Sequence, residues 1–253
     1  MQINLSNKTA LITGASGDLG RVMAHTLAGC GASVAIHYHS NQAKAETLRA
    51  ELSTLGTRAM IVQADVGSQS DILRMRDEVG STLGAPDIIV NNAVSQYEWK
   101  TVLQQPMEDY EGQFKTNVLH NVLMAQAFVP AMIEKNWGRI VAISTECAIQ
   151  CAPTTSAYVS GKRGMDGVLR TLAREVGEHG ITVNQVAPGW TISDRDRQAG
   201  TELRPEYSAK VPLRRRGEDQ DIANAVAWFA SDLAGFVTGA FLPVCGGHVM
   251  TSI

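Results

Sequence analysis

The sequence predicts an α/β fold: a single doubly wound domain whose seven-stranded parallel sheet carries helices on both faces. Seven apolar runs, rich in β-branched residues, alternate along the chain with segments of helical period. The runs are almost continuously apolar, as is typical of parallel strands buried on both faces. A length of 253 residues with 44% hydrophobic residues suits one large domain over residues 1–253.

The predicted elements follow in chain order. Strands are expected at residues 8–13, 33–38, 59–64, 87–91, 139–144, 181–187 and 240–244. Helices are expected at residues 19–29, 41–55, 68–83, 106–135, 156–178 and 219–231. One long irregular segment, residues 190–210, is rich in charge, and an irregular stretch of that length inside a compact domain is more often functional than accidental.

Bulk composition excludes several classes of partner. A formal net charge of −3 offers no general attraction to nucleic acid or to an anionic membrane. No apolar run approaches the roughly 18 residues of a membrane-spanning helix, and no basic or apolar leader precedes the first strand. The four cysteines lack zinc-site spacing and suit a reducing compartment. We therefore expect a cytoplasmic protein with no metal and no nucleic-acid or membrane partner.

A glycine-rich segment, Thr13-Gly14-Ala15-Ser16-Gly17-Asp18-Leu19-Gly20, joins the first strand to the first helix. There, glycines let the backbone turn tightly and approach a pyrophosphate, which the free N–H groups and dipole of the helix N-terminus attract. The predicted cofactor contacts are Gly14, Ser16, Gly17, Asp18, Leu19 and Gly20. The Asp18 carboxylate is a candidate cap for the helix, and even as a cap it is expected to place negative charge near a phosphate and weaken cofactor binding.

Tyr158 and Lys162 form a Tyr-x-x-x-Lys pair on the helix predicted at residues 156–178. A spacing of four puts both side chains on one helix face, one turn apart. A Lys ammonium in that position is expected to stabilise a tyrosinate and to lower the phenol pKa from its usual value of about 10. A phenol tuned in this way exchanges a proton with an alcohol oxygen near neutral pH.

These motifs together resemble the short-chain dehydrogenase/reductase family, and the resemblance covers almost the whole chain. Further matching motifs are Asp65-Val66 after the third strand, Asn91-Asn92-Ala93, Asn117, Pro188-Gly189 and Gly246-Gly247. The chain is most similar to members called 3-oxoacyl-[acyl-carrier-protein] reductases. The resemblance implies a Rossmann fold and an NAD(P)-dependent enzyme that interconverts a carbonyl and a secondary alcohol by hydride transfer.

The family uses Ser, Tyr, Lys and Asn in catalysis, and the resemblance assigns these roles to four positions here. Tyr158, Lys162 and Asn117 match in place. The family spacing between serine and tyrosine falls on Thr145, whose hydroxyl can donate the same hydrogen bond. Ser144 is one residue early and should face the other side of the strand, so it is the choice only if a bulge shifts the register.

The resemblance also implies a set of cofactor contacts. Asp65 and Val66 should meet the adenine, and Asn91 and Ala93 should lie along the ribose. Further contacts are expected from Tyr158, Lys162, Pro188, Gly189, Thr191 and Ser193. The second strand ends in Tyr38-His39-Ser40, which offers donors and no carboxylate to repel a 2′-phosphate, so NADP(H) is favoured over NAD(H).

The substrate is left open between two classes. Asn136 and His179 stand where the fatty-acid enzymes have basic residues that dock the acidic carrier. Polar and aromatic residues that could instead meet a sugar or polyol are Tyr97, Trp99, Gln150 and Trp190. A different class of function, a cofactor-binding sensor or assembly protein with little catalysis, is the alternative that Asp18, Thr145 and Cys245 raise.

The remaining expectations concern assembly and structure. The resemblance implies a homotetramer that pairs the helices near 106–135 and 156–178 and the C-terminal strands. Asn184 is expected to hold strands together. The charges of the 190–210 segment and of Arg214-Arg215-Arg216 are expected to be solvated, and Cys147 and Cys151 are expected to be structural thiols.

Overall fold

The computed structural model describes residues 2–251, so Met1, Ser252 and Ile253 of the predicted domain range lie outside the described residues. Its strands are β1 (Thr9–Ile12), β2 (Ser33–Tyr38), β3 (Ala59–Gln63), β4 (Ile88–Asn91), β5 (Gly138–Ile143), β6 (Ile181–Pro188) and β7 (Phe241–Val244). They form one sheet in the order β3-β2-β1-β4-β5-β6-β7, and every neighbouring pair is parallel. The predicted α/β fold class, with its seven-stranded parallel sheet, is confirmed.

The α-helices are α1 (Asp18–Gly29), α2 (Gln42–Thr54), α3 (Gln69–Leu83), α4 (Met107–Gln113), α5 (His120–Lys135), α6 (Cys147–Gln150), α7 (Ser156–Val176), α8 (Asp194–Ala199), α9 (Pro205–Ser208) and α10 (Asp219–Ala230). A π-helical turn, Phe114–Leu119, joins α4 to α5, and 3-10 turns cover Gly177–His179 and Asp232–Ala234. Within residues 2–251, no helix combines the length and the apolar character that crossing a membrane requires.

Two of the predicted stretches have a different structure, and the short helix α6 was not predicted. The single helix expected at 106–135 is broken into α4, the π turn and α5, because the wider π turn interrupts the α-helical hydrogen bonding. The 190–210 segment, expected to be irregular, contains α8 and α9. α8 forms because Ser193 and Asp196 make a reciprocal capping box, and it stops at Gly200, whose φ of +63° is left-handed.

The sheet separates two apolar cores, and successive residues of a strand enter different ones. Ala10 and Ile12 of β1 pack into the core that α1, α2 and α10 cover, whereas Leu11 packs into the core that α3, α5 and α7 cover. This alternation is the period-two arrangement of strand side chains. Both faces of the sheet are therefore apolar, which explains why the strands read as continuous apolar runs.

The connections place all the candidate site residues at one edge of the sheet. β1 lies between β2 and β4, so the chain leaves β1 towards one side of the sheet and later returns to its other side. In doubly wound sheets a ligand crevice opens at this switch point, outside the carboxyl ends of the strands.

Asn184 has the structural role that the sequence suggests. Its Nδ2 donates to the Val237 carbonyl at 2.7 Å, and its Oδ1 accepts the Ala240 N–H at 3.1 Å. Because this side chain is buried, both bonds replace bonds to water that the folded chain cannot make. Asn184 thereby ties β6 to the chain that enters β7.

A substitution at Gly20 tests how closely α1 approaches the loop that follows β1. A Cβ atom at Gly20 would lie 2.2 Å from the Gly14 carbonyl oxygen and 2.7 Å from the Ala15 Cα, so backbone atoms must move to admit it. We expect Gly20→Ala to lower the free energy of unfolding by about 1–3 kcal/mol. Gly29→Ala, in the same helix, meets no atom within 4 Å and should be neutral or stabilising. Urea unfolding compares them, and equal stabilities would contradict the close approach.

Candidate active site

The carboxyl end of β5 and the N-terminal turn of α7 meet at a cavity of about 540 Å³. Thr145, just beyond β5, and Tyr158, in the first turn of α7, line this cavity together with Gly189, which follows β6. Ser144 is not one of the lining residues, and its hydroxyl is buried without a hydrogen-bond partner. The structure therefore brings Thr145, rather than Ser144, to the cavity beside Tyr158.

Tyr158 is held by the loop that follows β4. Its backbone N–H donates to the Tyr97 hydroxyl at 2.7 Å, and its ring stacks on Trp99 with the ring centres 6.1 Å apart. The Tyr110 hydroxyl, on α4, contacts the Ser156 hydroxyl at 2.7 Å and gives a second link to the start of α7. Because N–H groups in the first turn of a helix have no partner within the helix, the Tyr97 contact both caps α7 and fixes the position of Tyr158.

Lys162 lies one turn beyond Tyr158 and is buried. Its Nζ donates to the Ile143 carbonyl at 2.6 Å and lies 5.7 Å from the centre of the Tyr158 ring. Burial lowers the pKa of Lys162 to about 7 and raises the pKa of Tyr158 to about 12, although a hydrogen bond with Thr145 acts to lower it. The lowered phenol pKa expected from the Tyr–Lys spacing is therefore wrong for the protein alone, because desolvation of both groups outweighs their attraction.

Asn117 lies in the π turn, inside a buried chain of amides. Its Nδ2 donates to the carbonyl and the side-chain oxygen of Gln113 at 2.9 and 3.0 Å, and its own carbonyl accepts from Asn121 at 2.7 Å. Asn121 in turn accepts from Asn91 at 2.7 Å. The Oδ1 atoms of Asn117 and Asn91 are buried without a partner, so each remains a free acceptor.

The predicted phosphate loop closes tightly over the end of β1. Gly14 has a φ of +63°, its N–H donates to His37 Nδ1 at 2.9 Å, and the Asn92 amide donates to the Thr13 carbonyl at 2.9 Å. The other His37 nitrogen contacts the Ala64 carbonyl at 3.0 Å, which makes it the N–H donor of a neutral ring. Burial accordingly lowers the pKa of His37 to about 4. The sequence reasoning missed this buried histidine as a support of the loop.

The N-terminus of α1 keeps its first N–H groups free of side-chain caps. Gly17 is the N-cap, and Asp18, Leu19 and Gly20 form the first turn. The Asp18 carboxylate accepts the Asp194 N–H at 3.3 Å, so the alternative in which Asp18 caps α1 is wrong. The turn borders a smaller cavity of about 170 Å³, whose lining includes Ser16, Gly17, Asp18, Arg21 and Lys44.

The residues predicted to meet the adenosine are divided between core and surface. Tyr38 ends β2 and is buried in the core beside α1 and α2, whereas His39 and Ser40 are exposed just beyond the strand. Asp65 follows β3 and pairs with Lys115 at 2.8 Å, and Val66 is buried behind it. All three residues thus lie at the carboxyl end of β2, where the side chains of His39 and Ser40 are exposed and that of Tyr38 is buried.

The other predicted contacts lie at the ends of β4 and β6, namely Asn91, Ala93, Pro188, Gly189, Thr191 and Ser193. A Cβ atom at Gly189 would lie 2.7 Å from the Tyr207 hydroxyl, so only glycine lets that side chain approach. The Thr191 hydroxyl donates to the Gly189 carbonyl at 3.2 Å. The Ser193 hydroxyl is already engaged with Asp196 in the cap of α8.

Charges in and around the 190–210 segment pair internally. Arg197 donates to Asp219 at 2.7 Å, and Arg216 donates to Asp196 at 2.8 Å. The Arg216 side chain is 2% exposed and also donates to the carbonyls of residues 190, 191, 201 and 202. The prediction of a solvated turn is therefore wrong for Arg216, because its fixed fork of donors holds the segment's own backbone.

Among the cavity residues that the sequence reasoning missed is a hydrogen-bonded cluster of Glu146, Tyr207 and His248. The Tyr207 hydroxyl donates to Glu146 Oε1 at 3.0 Å and accepts the Trp190 N–H at 2.9 Å. His248 Nδ1 lies 3.1 Å from Glu146 Oε2. The only signal in the sequence is the position of Glu146 directly after Thr145.

The buried ammonium of Lys162 should make stability depend on pH. As the pH rises from about 7 towards 10.5, its usual pKa, the folded protein releases this proton while the unfolded chain keeps it. Because the unfolded state then binds more protons, the free energy of unfolding increases with pH. We expect urea unfolding to show this rise between about pH 7 and about pH 9.5 for the wild type relative to Lys162→Met. A difference between the two proteins that does not change with pH would contradict it.

Known proteins resemble this chain over most of its length. A family model described as enoyl-(acyl carrier protein) reductase matches residues 14–249. The chain is 35% identical over 244 residues to the 3-oxoacyl-[acyl-carrier-protein] reductase of Staphylococcus epidermidis, covering 96% of this chain and 100% of that protein. Identity to the reductase of the same name from Escherichia coli K12 is also 35%, over 248 residues, covering 98% and 100%.

A solved structure of 7α-hydroxysteroid dehydrogenase, complexed with NADH and 7-oxo glycochenodeoxycholic acid, is also similar. It has a TM-score of 0.89 and 32% identity, over 99% of this chain and 97% of that one. Similarity of this extent is carried by the whole fold and not by one motif. The chain therefore belongs to the short-chain dehydrogenase/reductase family of oxidoreductases, which use a nicotinamide cofactor to interconvert a carbonyl and an alcohol.

Proposed function

We propose that Thr145, Tyr158, Lys162 and Asn117 carry out the NADP(H)-dependent interconversion of a carbonyl and a secondary alcohol, in a reaction like that of a 3-oxoacyl reductase. One observation carries this proposal: Thr145 and Tyr158 line the same cavity, with the buried ammonium of Lys162 one helical turn away. Two neighbouring hydroxyls can hold one carbonyl oxygen between them and stabilise the charge that develops on it.

The loop after β1 fits a dinucleotide. The uncapped N-terminus of α1 offers backbone N–H groups to a pyrophosphate, and the left-handed Gly14 makes the tight turn that leads to it. Beyond β2, the exposed side chains of His39 and Ser40 offer donors and no carboxylate, which suits a 2′-phosphate. When bound, the nicotinamide gives or takes the hydride. NADP(H) is therefore the proposed cofactor.

Tyr158 is the proposed proton donor and acceptor for the substrate oxygen. With a pKa raised by burial to about 12, its phenol is protonated at neutral pH and ready to donate in the direction of reduction. Lys162, whose pKa burial lowers to about 7, supplies the positive charge that stabilises the tyrosinate left behind. The free Oδ1 of Asn117 is the proposed acceptor for a water that returns the proton.

A second candidate, a sugar or polyol dehydrogenase of the same family, is favoured by the cavity wall. Tyr97, Trp99, Gln150 and Trp190 all line the cavity, as does the carboxylate of Glu146. Aromatic faces with a few fixed polar groups are typical of sites for compact polar ligands. A long acyl chain would instead be served by a uniformly apolar channel.

We further propose that residues 1–253 act as one domain and assemble into a homotetramer. Met107, Phe114 and Leu119, in the region predicted to pair between subunits, are exposed large apolar side chains. Such exposed apolar groups favour burial against a partner. The cytoplasmic location stays a prediction.

Tyr158→Phe tests the reaction. This change removes the proton donor but keeps the ring that packs on Trp99. We expect oxidation of NADPH with an acetoacetyl thioester, keto-sugars, diketones or aromatic ketones to fall by about 100-fold or more. NADPH binding, followed by fluorescence, should be retained, and wild-type turnover should be faster with NADPH than with NADH. Tight NADPH binding by the wild type without any turnover would instead favour a sensor.

Thr145 and Ser144 can be separated by matched substitutions. Thr145→Ser keeps a hydroxyl and should retain kcat/KM within about tenfold, whereas Thr145→Ala should lose about 100-fold. Ser144→Ala removes a hydroxyl that has no partner and lies outside the cavity lining, and should leave kcat/KM unchanged. The reverse pattern, with Ser144→Ala inactive and Thr145→Ala active, would overturn the assignment of Thr145.

A further inference from the structure

A buried acid stands beside the residue proposed to hold the substrate oxygen. Glu146 follows Thr145, lines the same cavity, and has a side chain that is 5% exposed. In the part of the chain that the structure describes, its carboxylate has an ion-pair contact with His248 and with no Lys or Arg. Burying a carboxylate without a firm cation is costly, so hydrogen bonds must compensate for it.

Two polar groups, the Glu146 carboxylate and the Gln150 amide, compete for the same nitrogen of His248. His248 Nδ1 lies 3.1 Å from Glu146 Oε2, an acceptor, and also 3.1 Å from Gln150 Nε2, a donor. Whichever way the Gln150 amide is turned, one ring nitrogen has a single N–H or a single lone pair, so it cannot make a full hydrogen bond to both groups. A hydroxyl group both donates and accepts, so a hydroxyl placed here can donate to Glu146 and accept from Gln150 or His248.

Charge at the cavity restricts the ligand further. Among its described lining residues Glu146 is the carboxylate, His248 is the titratable base, and neither Lys nor Arg is present. A carboxylate or phosphate on the substrate would meet a like charge in a poorly solvated site, where repulsion is strong. The cavity therefore favours an uncharged compound.

The aromatic walls indicate the ligand's shape. Trp190 and Tyr207 meet edge to face with ring centres 5.5 Å apart, and Tyr207 meets His248 in the same way at 4.8 Å. Tyr97 and Trp99 also line the cavity, and both contact Tyr158. Flat aromatic surfaces of this kind pack against the apolar faces of a ring, while the Glu146 cluster takes a polar group at its margin.

We propose that Glu146, with Gln150 and His248, binds a hydroxyl group of the substrate other than the reacting one, and so selects an uncharged hydroxylated ketone. This proposal rests on the proposed function, since it names the substrate class of the same cavity. Glu146 is here a specificity-determining residue: it takes no part in the transfer of hydride or proton.

A matched set of ketones tests the proposal: cyclohexanone and its 4-hydroxy, 4-carboxylate and 4-amino derivatives, each with NADPH. For the wild type, kcat/KM for the hydroxy ketone should exceed that for cyclohexanone by about tenfold or more, the size expected of a hydrogen bond to a charged group. Glu146→Gln should bring this ratio close to one and raise the relative rate of the carboxylate derivative. Glu178→Gln, the same change at a side chain that is 81% exposed, should leave the ratio as in the wild type.

The ratio between two substrates cancels any general loss of activity, so it separates recognition from damage to the fold. Should Glu146→Gln fail to fold, Gln150→Leu, at an exposed position, should lower the same ratio. An unchanged ratio in the folded variants would overturn the proposal, and so would a wild-type preference for the 4-amino ketone, which would mark a cation site. Turnover of the acetoacetyl thioester without any hydroxyl preference would overturn this proposal alone. No Tyr158-dependent turnover of any carbonyl would overturn the proposed function with it.

Discussion

The ammonium of Lys162 is buried, and its hydrogen bond to the Ile143 carbonyl, at 2.6 Å, replaces part of the water it has lost. Ile143 is the last residue of β5, so this bond joins the middle of the sheet's carboxyl edge to α7. One bond for three donors is incomplete compensation, which is why the pKa of Lys162 falls to about 7. At neutral pH the protonated and neutral forms of Lys162 are therefore similarly populated. The reactivity of the Tyr158 phenol depends on how much of the protonated form is present.

The close packing of α7 depends on its small residues. A Cβ atom at Gly161, next to Lys162, would lie 2.9 Å from the Gln113 carbonyl and 3.0 Å from Asn117 Nδ2. At Gly164 it would lie 2.8 Å from a Val118 methyl. The glycines therefore let the π turn approach α7, and the turn brings the buried amide of Asn117 to the helix that carries Tyr158 and Lys162. The close contact of the π turn with Gly161 and Gly164 thus positions both the turn itself and the Asn117 amide of the site.

The sequence predicted the fold well because local patterns decide it. Continuous apolar runs specify parallel strands, whereas the roles of Thr145, Tyr158 and Gly189 were expected from the resemblance to a family. Glu146, Tyr207 and His248 were missed because their partnership depends on contacts between residues 61 and 102 positions apart. The direction of the Tyr158 pKa was missed for the same reason, since spacing along a helix reveals a neighbouring charge but not the burial of both groups.

Asp18 shows how a departure from the family pattern is accommodated. Its carboxylate accepts the Asp194 N–H, which is the first N–H of α8. The negative charge of Asp18 therefore interacts with the N-terminus of α8 as well as with that of α1. Asp194 also pairs with Arg21, on α1, at 3.6 Å, and with Arg197 at 3.0 Å. The acid at the phosphate loop is therefore one member of a charge network that ties this loop to the 190–210 segment. A carboxylate engaged in this way repels a nearby phosphate less than a free one, because the Asp194 N–H offsets part of its charge.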